Sequence, residues 1–143
     1  MTRLNRPVTN PAPKHRLRYM APSRPAALIV EDQPFVGMVA SDILRESGFE
    51  TFHAYDARDA EAVLDRHPEI EVIVTDAQLA SDVTGIDLCR RLSVERPDVQ
   101  LVVTSAGHEL RPNDVPRGTR LLHKPYASGE LRTLVSAKAL AEV

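Results

Sequence analysis

Tryptophan is absent from this 143-residue chain, and aromatic residues make up only 4% of it. The 43% of residues that are hydrophobic are therefore mostly aliphatic, and any core must be built from aliphatic side chains. Cysteine occurs once, at Cys89. That excludes an internal disulfide and suits a reducing compartment. No apolar run approaches the roughly 18 to 20 residues that cross a bilayer. The opening MTRLNRPVTN has no apolar core of a secretory signal, and the expectation is a soluble, cytoplasmic protein. Glycine-rich phosphate loops, zinc-ligand spacings and a serine triad are also missing. The five histidines, His15, His53, His67, His108 and His123, do not fall at metal-ligand intervals and read as surface or rim residues.

Acidic residues are missing from one region only. Residues 1–25 hold six basic residues (Arg3, Arg6, Lys14, Arg16, Arg18 and Arg24), no acidic ones, and five of the 11 prolines. Residues 26–143 then hold 12 Lys/Arg against 20 Asp/Glu, a balance of −8. A segment so poor in apolar periodicity does not fold alone. It reads as a basic, proline-rich, disordered tail, with a nucleic-acid or partner arm as the alternative. A chain start at Met20 is a third reading.

From Ala26 onward two periodicities alternate. AALIVE, 26–31, reads as a buried strand. Pro34 suits a first helical turn, where its missing N–H costs nothing. Phe35, Val36, Val39, Ile43 and Leu44 follow at helical spacing, and Gly48 is a helix stop. FETFHA, 49–54, alternates as a strand does. Asp56 and Asp59 form a helix-start cap with Asp in the usual Glu place, ahead of the apolar face Ala60, Val63 and Leu64. EVIVTD, 71–76, is the third strand. Thr84 and Asp87 repeat the cap before Ile86, Leu88, Cys89 and Leu92, a spacing that puts Cys89 in the core. VQLVVTS, 99–105, and TRLLH, 119–123, are further strands, and a last helix carries Leu131, Leu134, Val135 and Leu140. Between the last two strands, Pro112 and Pro116 each remove a backbone donor and clash with the preceding turn. Residues 106–118 therefore predict a long loop with at most one short helical turn. Strands alternating with helices predict one α/β domain over 26–143, its parallel sheet covered on both faces.

The polar residues cluster at strand ends: Glu31 and Asp32 after the first, Asp76 at the third, Thr104 and Ser105 at the fourth, His123 and Lys124 at the fifth. In an open parallel sheet ligands bind outside the carboxyl ends of the strands, so these groups share one rim. The second strand ends in His53 and Ala54, contributes nothing evident there, and reads as an edge. Crowded carboxylates repel one another, and a divalent cation relieves the repulsion. Hard oxygen donors suit Mg²⁺, which takes one or two protein carboxylates plus phosphate oxygens. A hydroxyl and a lysine complete a phosphate cradle, and an aspartate can accept a phosphoryl group covalently. Each residue has a plainer reading alone: Asp76 as a strand-end charge, Glu31 and Asp32 as caps of the first helix, Lys124 as a solvated lysine, Tyr126 as packing. The convergence of all of them favours a site. Thr104 and Ser105 compete for the hydroxyl role, and strand parity favours Ser105.

LIVED, VIVTD, VVTSAG and LLHKPY, in that order over residues 26 to about 140, resemble the response-regulator receiver domain. TDAQLASDVTGIDLCRRL and TSAGHELRPNDVPRGTRLLHKPY look most like short, stand-alone receivers of proteobacteria. The resemblance implies a flavodoxin-like (βα)5 three-layer sandwich with parallel strand order 2-1-3-4-5 and a short or irregular fourth helix. It implies that Asp76 accepts a phosphoryl group from a sensor histidine kinase or phosphotransfer protein. Glu31, Asp32, Asp76 and the backbone carbonyl of Gln78 would hold Mg²⁺. The backbone N–H groups of Ala77 and Ala106 would face phosphate oxygens, Ser105 would donate its hydroxyl, Lys124 would neutralise the phosphoryl charge, and the Lys124–Pro125 bond would be cis. The chain departs from the common pattern at four points. Ala80 stands where many receivers have Pro, and one extra residue separates Asp76 from Gly85. Leu121 replaces a usual Tyr or Phe three residues before the lysine, and prolines break the fourth helix.

The expected function is therefore a single-domain response regulator of a two-component phosphorelay. It would catalyse only its own Mg²⁺-dependent phosphorylation and dephosphorylation. With no DNA-binding domain in the chain, it would signal by binding a downstream protein, as a monomer or weak homodimer. The alternative is a receiver-like binding module that works without phosphate. A small aspartate-nucleophile phosphohydrolase is disfavoured, because such enzymes need a second Asp two residues after the nucleophile, where this chain has Gln78.

Overall fold

A computed structural model describes residues 24–107 and 110–141. The expected N-terminal tail, apart from Arg24 and Pro25, lies outside the described residues, as do His15 and His108. The apolar run after Pro25 forms β1 (Ala26–Val30), every residue of which is buried. A continuous apolar strand of this kind belongs inside a parallel sheet covered on both faces. β1 pairs in parallel with β2 (Glu50–Ala54) on one side and β3 (Ile70–Asp76) on the other. β4 (Gln100–Ser105) and β5 (Arg120–His123) extend the sheet, giving the order β2-β1-β3-β4-β5. The fold is flavodoxin-like, as the sequence predicts, with β2 at one edge.

Among the described residues four α-helices cover the sheet: α1 (Pro34–Glu46), α2 (Ala57–Arg66), α3 (Gly85–Glu95) and α4 (Ser128–Ala141). Pro34 begins α1, and Gly48, at φ 96°, turns the chain out of it in a conformation that favours glycine. The Thr84–Asp87 capping box forms in full. The Asp56 cap is only half a box. Asp56 Oδ1 accepts from the Asp59 N–H at 2.7 Å, while the Asp59 carboxylate reaches one residue further back, to the Tyr55 N–H. Two cores result. Leu28, Ile73, Leu88, Leu92 and Val103 pack on the α2–α3 face, and Ile29, Leu44, Val74, Leu131 and Val135 on the α1–α4 face. Cys89 is fully buried in the first core, where burial pushes its thiol up from 9.0 to about 12.

Between β4 and β5 the only regular element among the described residues is a 3-10 turn, Pro112–Asp114. The Arg111 N–H donates to Asp114 Oδ2 at 2.8 Å, and Val115, just beyond, is buried in the α2–α3 core with Leu110 packed against it. Val115 and Leu110 thus carry apolar contacts to this core from the loop. Leu121 packs half-buried against the same core. No helix among the described residues is long and apolar enough to cross a membrane.

Candidate functional site

The carboxyl end of the sheet gathers the predicted residues. β1 delivers Glu31, whose N–H continues the ladder to the Ala54 carbonyl at 2.9 Å. β3 ends in Asp76, and the turn after β5 carries Lys124. The Lys124 Nζ donates to Asp76 Oδ2 at 3.2 Å and lies 3.5 Å from Glu31 Oε2. Carboxylate oxygens of Glu31, Asp32 and Asp76 all fall within 4.8 Å of one another. Asp32 does not cap α1: Gln33 holds the N-cap position, and no side chain caps it.

The three acids differ in depth. Glu31 is only 3% exposed, and its Oε1 has no hydrogen-bond partner among the described residues. Burial, then the Asp76 charge, raises its pKa from 4.5 to about 7, with Lys124 pulling the other way. Asp32 and Asp76 are half-buried and face an open cleft of about 790 Å³, lined also by Gln78, Ser105, Ala106 and Lys124. Below it lies a cavity of about 10 Å³, bounded by Glu31, Asp76, Thr104, Lys124 and Tyr126. That volume is about one water molecule's worth. Thr104, 3% exposed, thus faces the buried side, while Ser105 lines the open cleft. The Ser105 hydroxyl is engaged with its own loop, donating to the Gly107 carbonyl at 3.2 Å. The Lys124–Pro125 bond is cis, as the resemblance implies.

One predicted role needs correction. The Ala77 N–H does not face the cleft, because it is donated to the Thr104 carbonyl at 2.8 Å, extending the β3–β4 ladder. The neighbouring Gln78 N–H points instead at Asp76 Oδ1, at 3.3 Å. The Ala106 residue is exposed beside the cleft. His53, which the sequence leaves with no role at the rim, donates from Nε2 to the Glu31 carbonyl at 2.9 Å. It fits only because Gly37 has no side chain: a Cβ there would stand 2.7 Å from the imidazole. The edge strand therefore pins the backbone of an acidic site residue. The β1–β2 register sets His53 opposite Ile29, two residues before Glu31, which brings its ring within reach of that carbonyl. His67 is no bare surface residue either; it stacks on Phe52 at 4.0 Å and bonds Glu69.

The family model of the response regulator receiver domain matches residues 27–136, well over half of the chain. The chain belongs to the response regulator receiver domain family. Solved receivers superpose closely. A response regulator receiver protein from Sinorhizobium medicae gives a TM-score of 0.74 at 22% identity, over 80% of this chain and 94% of that one. One from Pseudomonas putida gives 0.71 at 25% identity, covering 82% and 99%. The PhyR response regulator receiver domain from Erythrobacter litoralis gives 0.71 at 26%, covering 82% and 91%. No curated protein matches the chain significantly.

A receiver domain binds Mg²⁺ at an acidic site, and the donors here fit that ion. They are hard carboxylate oxygens, three in number, and Glu31 among them has a buried oxygen with no partner among the described residues. Glu31 makes this fit measurable. A carboxyl raised in the folded state stabilises the fold most when protonated. The contribution is full below the unfolded value near 4.5 and is lost as pH rises through about 7. The metal-free receiver is expected to lose on the order of 3 kcal/mol or less across that window. Mg²⁺ should then raise Tm more at pH 8 than at pH 5, as thermal denaturation at both pH values will show. An equal Mg²⁺ increment at the two would contradict the assignment.

Proposed function

We propose that this receiver accepts a phosphoryl group on Asp76 from a histidine kinase or phosphotransfer protein, in a reaction that requires Mg²⁺. The observation that supports it best is Lys124, whose ammonium lies between Asp76 and Glu31 at the floor of an open cleft. An Asp76 carboxylate oxygen attacks phosphorus, the bond from phosphorus to the donor nitrogen or oxygen breaks, and its electron pair leaves with the donor. Lys124 then neutralises part of the charge on the transferred group, acting as a point charge beside an anion. Ser105, which lines the same cleft, gives up its weak 3.2 Å bond to Gly107 and donates to a phosphoryl oxygen. The N–H groups of Ala106 and Gln78 serve the remaining oxygens, the second replacing Ala77. Glu31, Asp32, Asp76 and the Gln78 carbonyl would hold Mg²⁺, which when bound would offset the negative charge of phosphoryl and carboxylates together.

The output is a contact with another protein. Ala106, Gly107 and Leu110 line the same cleft as Asp76, and this rim shifts when Ser105 leaves Gly107 and turns toward the phosphoryl group. The test is incubation with acetyl phosphate. Phosphoprotein should form with Mg²⁺ and vanish with EDTA. Formation that EDTA leaves untouched, or none at all, would overturn the proposal.

A further inference from the structure

The cavity under the acceptor and the outer face of α1 share a wall. An apolar groove of about 640 Å³ runs along α1, lined by Phe35, Val36, Val39, Lys124, Pro125 and Tyr126. Among the described residues, Val36, Lys124 and Tyr126 line both this groove and the small cavity that holds Glu31. Lys124 is committed to Asp76 and Glu31. Tyr126 is the one aromatic ring of the three, half-buried and packed on the α1–α4 core. Burial, then the charges of Glu31 and Asp76, pushes its phenol up, so both carboxylates act on it. Glu31 also lines the cavity, and its Oε1 is buried without a partner among the described residues.

We propose that Tyr126 is a positioning residue of the phosphorylation site: its ring closes the groove side of the cavity, limits the water beside Glu31 to what about 10 Å³ can hold, and so sets the affinity of the acidic cluster for Mg²⁺. This rests on the Mg²⁺ assignment made above. A carboxylate kept from water is costly to bury without a counter-charge, so it gains more from a cation than a hydrated one does. Removing the ring opens a polar space that joins the groove. Water entering there hydrates Oε1, stabilises the metal-free state and shrinks the gain from Mg²⁺. The ring matters and the hydroxyl does not, so Tyr126→Phe should keep the seal and Tyr126→Ala should break it.

The experiment titrates Mg²⁺ into wild type, Tyr126→Phe and Tyr126→Ala, reading Kd by calorimetry and Tm at zero and saturating Mg²⁺. The Phe variant is expected to match wild type, and the Ala variant to bind about tenfold more weakly, the scale on which residues supporting metal ligands act. The Tm gain on adding Mg²⁺ should shrink in the Ala variant. If Tyr126→Ala does not fold, Tyr126→Leu carries the comparison, with a smaller loss in the same direction. An unchanged Kd, with Tm lowered equally at both Mg²⁺ levels, would reduce Tyr126 to packing and overturn the proposal. So would a Phe variant as weak as the Ala variant. A wild-type protein that does not respond to Mg²⁺ would instead sink the site assignment itself.

Discussion

Asp76→Asn is expected to lower phosphoryl incorporation from acetyl phosphate by about 10³-fold or more, the scale of losing a reacting group, while leaving the fold intact. The amide keeps the shape of the carboxylate but has no nucleophilic oxygen pair. Asp76 also sits among like charges, within 4.8 Å of carboxylate oxygens of Glu31 and Asp32. Replacing it removes repulsion at the cost of one Lys124 contact, and Lys124 retains Glu31 at 3.5 Å. Tm should therefore stay within the small range of neutral substitutions. Labelled-phosphate incorporation and thermal melting on the same preparation check both halves. Undiminished labelling of the variant would mean that the acceptor is elsewhere.

Gly85→Ala is expected to be the most damaging single-methyl change in the receiver. A Cβ at Gly85 would stand 1.8 Å from the Asp76 carbonyl oxygen, 2.8 Å from its carbon and 2.9 Å from Thr75 Oγ1. Two of these atoms are backbone and cannot swing away. The Gly85 N–H is itself tied to the Ala77 carbonyl at 3.0 Å, so the start of α3 cannot retreat cheaply. Overpacking against fixed backbone costs about 3 kcal/mol, readable by urea denaturation. Whatever remains folded should carry a displaced Asp76, and a shift of about 1 Å at a reacting group costs about 10²-fold in rate. Gly129→Ala, at a glycine with nothing within 4 Å, is the matched control. A stability loss at Gly85 no larger than the control's would show that the loop after Asp76 is looser than the close approach implies.

These two positions show what a single sequence reveals and what it hides. Asp76 was legible because it breaks an apolar run at its end, and because Glu31, Asp32, Ser105 and Lys124 break theirs at the same edge of a parallel sheet. The Thr84–Asp87 box and Pro34 were legible for a similar reason: caps act within four residues, so local pattern suffices. Gly85 was readable only as a helix start. Its close approach to the Asp76 carbonyl depends on how the loop between them folds back, which no periodicity encodes. Ala77 failed for the same kind of reason. Whether an N–H faces a cleft or a neighbouring strand is a matter of ladder register, and here β4 takes it. His53 is hidden because its role is a side-chain bond across strands to the backbone of residue 31, which the spacing of histidines along the chain does not encode. Val115 is hidden inside a proline-rich loop, where an isolated apolar residue gives no periodic signal; only its packing into the α2–α3 core shows what it is for.

The most direct measurement locates the phosphoryl group. Wild-type receiver is treated with acetyl phosphate and Mg²⁺, the acyl phosphate is trapped by borohydride reduction, and peptides are sequenced by mass spectrometry. The account predicts one modified residue, Asp76, dependent on Mg²⁺. A label on another residue, or on none while the protein remains folded and binds Mg²⁺, would contradict it.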